Sequence, residues 1–87
     1  MNLHSAGNVV VPAYLTLIKK GYAVTCERNS DSEENWIAEG ALGRFEADDV
    51  IQLLGVVGVA EARGDLWPAT DAQIDEFLQK FGYESGV

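Results

Sequence analysis

The chain is short of the residue types from which active sites are usually built. Its 87 residues include one cysteine, Cys26, and one histidine, His4. A single cysteine closes no internal disulfide, which fits a reducing compartment, so a cytoplasmic location is expected. Zinc sites made of Cys and His draw on several such ligands, so neither a metal nor a cofactor is expected. A catalytic triad needs an imidazole held in place by its neighbours. His4 falls in a small, polar stretch, residues 1–8, that reads as a loose arm. Basic residues are scarce as well: Lys and Arg number 6 against 14 Asp and Glu, a net charge of -8. Phosphate neutralisation takes clustered cations, and only Lys19 and Lys20 adjoin, so no nucleic acid is expected as a partner. Anionic membrane surfaces are disfavoured for the same reason. The first residues carry no basic stretch ahead of a long apolar run, so no secretory leader is expected. No apolar run approaches the ~18 residues of a membrane span.

What is present describes a small folded domain. Hydrophobic residues make up 47% of the chain, too many for a disordered segment. A single domain over residues 1–87 is expected, with a thin core, because a chain this short buries only roughly 60% of its unfolded surface.

Periodicity places the elements. Pro12 suits a first helical turn, and Tyr14, Leu17 and Ile18 form one face of a helix over about 12–20 that Gly21 ends. Tyr22, Val24 and Cys26 alternate with Ala23, Thr25 and Glu27, which predicts a strand over about 22–28 with Cys26 on its buried side. A polar loop, Asn29 to Asn35, leads to a second strand over about 35–39, and the two pair as an antiparallel hairpin. Arg44 to Glu46 is a candidate third strand. Asp48 is placed to cap a helix over about 49–63 whose stripe is Val50, Leu53, Leu54 and Val57. Gly55 and Gly58 each cost about 1 kcal/mol there relative to Ala, so a strand over residues 56–60 stays open as the alternative. Thr70 and Gln73 have capping-box spacing ahead of Ile74, Phe77, Leu78 and Phe81, a helix over about 71–81. Residues 83–87 read as a tail. The expected fold is α+β: two layers, with a two- to three-stranded antiparallel sheet packed with three helices.

Several clusters could carry function. Asp31, Glu33 and Glu34 at the hairpin tip lack calcium-loop spacing. With Glu39, Asp48 and Asp49 they form a candidate contact set for a basic protein partner. The carboxylates near residue 48 also suit the positive end of a helix. Glycoside hydrolysis by paired carboxylates needs a cleft that a short chain has little mass to build. Gly55 and Gly58 fit neither glycine-rich phosphate pattern and put a flat strip on one helix face, suited to close packing or a homodimer seam. Tyr22, Trp36, Phe45 and Trp67 are candidates for an aromatic-lined pocket. Both tryptophans are expected in the core, and one that proved exposed would be the best interface anchor in the chain.

The run Leu53-Leu54-Gly55, with Ala60 to Trp67, following Trp36 to Glu39 and Phe45, resembles small uncharacterised bacterial proteins, some of which in turn resemble immunity proteins of toxin systems or orphan products of mobile gene cassettes. The resemblance covers residues 20–68. Its motifs are structural, so no functional residue carries over. The expected function is a small acidic, non-enzymatic protein-interaction module, immunity- or antitoxin-like, and homodimeric through sheet edges or the glycine-bearing helix face. A small-ligand-binding domain or accessory subunit is the alternative.

Overall fold

The computed structural model describes residues 1–4 and 7–82. A 3-10 turn, Gly7–Val9, leads into α1, Val10–Lys19. The helix begins earlier than expected, and Gly7 and Asn8 belong to the turn rather than to a loose arm. Pro12 is still harmless, because the first turn of a helix has no intrahelical use for its N–H.

The end of α1 sets the first strand. Gly21, at φ 95°, takes the left-handed conformation that glycine adopts freely. The N–H of Gly21 then bonds to Ile18 O (3.0 Å) and that of Tyr22 to Leu17 O (3.1 Å), the paired bonds of a Schellman ending. Tyr22 and Leu17, which flank that turn, are both core residues.

The strands β1 (Ala23–Arg28), β2 (Glu34–Gly40) and β3 (Gly43–Ala47) form an antiparallel meander in the order β1-β2-β3. Register runs from Ala23 opposite Glu39 to Arg28 opposite Glu34, and from Trp36 opposite Ala47 to Gly40 opposite Gly43. The hairpin loop is organised by Asn29, whose Oδ1 accepts from the backbone N–H groups of Asp31 (2.9 Å) and Glu33 (3.0 Å). α2 (Val50–Arg63) is continuous through Gly55 and Gly58, which settles the alternative in favour of the helix. Its cap is Asp49 and not Asp48: the Asp49 carboxylate accepts from Gln52 N at 2.8 Å. α3 is Asp71–Lys80. The tail expected over residues 83–87 lies outside the described residues.

The molecule is therefore a small α+β domain. Its core is Ala13 and Leu17 of α1, Tyr22, Ala38 of β2, and Val50, Leu53 and Val57 of α2, with Val24, Trp36, Phe45, Ala47 and Leu54 half-buried around them. Strand alternation explains the sheet's share, since Trp36 and Ala38 point to the helices and Ile37 to the opposite face. The α1 face is narrower than the predicted one. Ala13 and Leu17 are buried, whereas Tyr14 and Ile18 are exposed. Cys26 has the predicted strand parity but is exposed. Parity names the face and not how far the helices reach across it.

α3 departs furthest from expectation. The capping box forms as predicted, yet the helix fully buries none of its side chains, and of the predicted stripe only Leu78 is half-buried. Among the described residues it shares no extended contact with another element, whereas α1 and α2 pack on each other and on the sheet. The radius of gyration is 15.6 Å, against about 12 Å for a compact domain of this length. No helix among the described residues is long and apolar enough to cross a membrane.

Candidate interaction surface

The segment joining α2 to α3 builds the site. Gly64, at φ 58°, turns the chain out of α2 into a 3-10 turn, Gly64–Leu66. Arg63 then holds the backbone beyond that turn: its Nε donates to Trp67 O (3.0 Å) and its Nη2 to Pro68 O (3.3 Å). Thr70 opens α3 with both capping bonds made, from Gln73 N to Thr70 Oγ1 (3.2 Å) and from Thr70 N to Gln73 Oε1 (2.9 Å). The linker is thus bonded to the end of α2 and to the start of α3.

That arrangement leaves Trp67 62% exposed. The core placement expected for it is corrected, and the reason is local: the Arg63 bonds fix the backbone of residues 67 and 68 outside the helical layer. Beside Trp67 lies an open cleft of about 450 Å³ lined by Phe45, Val56, Val59, Ala60 and Trp67. Apart from the indole N–H of Trp67, every one of those side chains is apolar. α2 makes this possible because it is apolar almost all round, with Val50, Leu53 and Val57 inward and Val56 and Val59 outward. On the far side of the linker a second, shallower recess is lined by Arg63 and Ala69 together with the apolar Ile74, Phe77 and Phe81 and the polar Gln73, Glu76 and Lys80 of α3. Phe81 is 58% and Ile74 44% exposed, and the rings of Phe77 and Phe81 stack at 5.0 Å.

Of the four aromatic residues singled out in the sequence, Phe45 and Trp67 meet at this cleft. Tyr22 does not line it. It is buried in the core, edge-on to Phe45 with ring centroids 6.1 Å apart. Trp36 lies elsewhere, in a shallow depression shared with Val10, Glu34, Asp49 and Ile51. Val56, Val59 and Ala60 were missed. The stripe that predicts the core side of α2 says nothing of its outer side, and the signal for them was the near-absence of polar residues along the helix.

The six acidic candidates do not form one patch. Glu39, toward the opposite end of β2 from the hairpin tip, stands 3.9 Å from Arg44. Glu33 accepts from Asn29 Nδ2 (3.2 Å), and Asp31 sits in the Asn29 turn. Asp49 caps α2, with Asp48 exposed before it. Glu34 pairs with Arg28 across the hairpin, and its Oε1 accepts from Trp36 Nε1 (3.1 Å). Glu34 and Asp49 both border the Trp36 depression. Gly55 and Gly58 have open space where a Cβ would stand, so no described element packs on their flat strip.

The Arg28 guanidinium, and after it the Trp36 indole N–H, hold the Glu34 carboxyl below the usual carboxylate range. A depressed acid stabilises the fold above its unfolded pKa and loses that contribution as pH falls through the folded value. The indole proton of Trp36 should therefore titrate by NMR with a midpoint under the ~4.3 of an ordinary Glu. Arg28→Ala should raise that midpoint, and a midpoint at or above the ordinary value would contradict the pairing.

No protein-family model, curated protein or solved structure matches the chain.

Proposed function

We propose that the chain is a non-enzymatic protein-interaction module that docks through the cleft at Trp67 and the apolar side of α3. One observation carries this reading. α3 fully buries none of its side chains, and Trp67 ahead of it stands 62% exposed beside an apolar cleft. Helices shorter than ~12–15 residues are marginal alone in water, so the Thr70 box and the Arg63 bonds to the linker are what hold the 10-residue α3 in place before anything packs on it. Trp is also the side chain most enriched among interface anchors.

The small-ligand reading is weaker on the same geometry. Ligand pockets pair apolar walls with a few polar groups that fix orientation, and among the described residues lining the Trp67 cleft the indole N–H is the one polar side-chain group. An immunity-like role, masking a basic target with the acidic residues, is the runner-up. Most of those carboxylates already hold local partners, which leaves less for a distant one.

Photo-cross-linking residues at Ala69, in the recess beside α3, and at Glu33, on the hairpin tip, separate these readings in the host cell. Protein adducts at position 69 are expected. Adducts confined to position 33 would transfer the contact to the acidic loop, and no protein adduct at either position would defeat the proposal.

A further inference from the structure

We infer that the occupant of this surface is a second copy of the same chain, bound by reciprocal exchange, with α3 of each copy lying in the α2 cleft of the other. The inference rests on reading that surface as a docking face.

The chain carries both halves of one contact. Val56, Val59 and Trp67 with Phe45 and Ala60 form an apolar groove, and Ile74, Phe77 and Phe81 form an apolar ridge one helix away. Neither half fills the other within the chain, because no residue of α3 lines the groove. The bonds from Arg63 to Trp67 O and Pro68 O hold the linker in the conformation that keeps α3 out of its own groove. Docking in trans leaves those bonds, and the Thr70 cap, intact. Two copies related by a two-fold axis satisfy both grooves with both ridges at once, and the assembly closes without leaving a groove to recruit a third copy.

The area is sufficient. With about 150–250 Å² for a fully presented aromatic side chain, the exposed fractions of Trp67, Phe77 and Phe81 amount to about 380 Å² per copy. Val56, Val59 and Ile74 bring this to about 600 Å², so two copies offer roughly 1,200 Å², the lower bound for a stable interface.

Charge gives the inference a signature. Each copy carries a net -8, so pairing brings like charges together. Raising salt from about 0.1 M to about 1 M shortens the Debye length from about 10 Å to about 3 Å. Self-association should therefore tighten with salt, while a complex with a basic partner would weaken.

The full chain should run at twice its monomer mass by light scattering at micromolar concentration, with the dimer fraction rising with salt. Val59→Asp spoils the groove and Ile74→Asp spoils the ridge. Both positions are exposed, and a circular-dichroism melt checks that each variant still folds. Each variant alone should lose more than about tenfold in dimer affinity. Mixed in equal amounts, the two should pair more tightly than either does alone, because the mixed dimer keeps one intact groove and one intact ridge that meet. A monomer at every salt concentration overturns the inference, and so does a dimer indifferent to both variants, which would point to sheet-edge pairing. A monomeric chain that still gives cross-links to another protein at position 69 rejects the second copy while leaving the docking face standing. A monomeric chain without such cross-links rejects both.

Discussion

Leu53→Ala should destabilise the domain by about 3–5 kcal/mol, a large share of its total stability. Leu53 has no exposed surface and sits on α2 in the one cluster that joins both packed helices to the sheet. Among the described residues only three larger side chains are completely buried, Leu17, Leu53 and Val57, so few neighbours can collapse into the space a lost isobutyl group leaves. At about 0.05–0.15 kcal/mol per residue, the whole chain has roughly 4–13 kcal/mol to lose. Urea melts of the variant and the parent at equal protein concentration measure the change, with an unchanged slope marking a pure stability effect. A shift under about 1 kcal/mol would mean that the cluster is not the core.

Gly40→Ala should cost about 1–3 kcal/mol although it adds a single methyl group. A Cβ on Gly40 would stand 2.6 Å from Tyr22 Cδ1 and 2.8 Å from Cε1. Tyr22 cannot swing clear, because its backbone is fixed by the Schellman bond to Leu17 and its ring is buried against Phe45. The expected signature is non-additivity. Tyr22→Ala removes the obstacle, so Gly40→Ala should cost much less in that background than alone, with a coupling of at least about 1 kcal/mol in denaturant melts. Additive costs would show that the ring and the glycine do not press on each other.

The parts of the fold that were legible in advance are those with local causes. The alternation over residues 22–28, the Thr70–Gln73 box and the stripe at Val50, Leu53 and Val57 each state their own geometry within a few residues, and each appears where it was expected. Misses occur where the cause is non-local. The α3 stripe announces that a face wants cover and is silent on what supplies it. Tyr14, Ile18 and Cys26 fit their periodic faces, but a sheet and two helices this small cannot cover all of them. Asp48 and Asp49 are equivalent as letters, and the geometry of entry into the helix decides which one caps it. At the candidate site, Phe45 and Trp67 were visible as costly aromatic residues, whereas the groove wall from α2 was hidden behind the stronger core signal of the same helix.

The Arg63 clamp has a consequence for the kinetics of association. Many short recognition helices are disordered until they bind, and ordering them consumes part of the interaction free energy. Here the helix is already capped and its linker already tied to the shoulder of α2. The entropy of presenting α3 is thus lost once, during folding, and not again at each encounter. On the proposed docking, such a preorganised arm would bind as a rigid body, at the ~10⁵–10⁷ M⁻¹s⁻¹ usual for docking two prepared patches, with changes in affinity falling on how long the complex lasts.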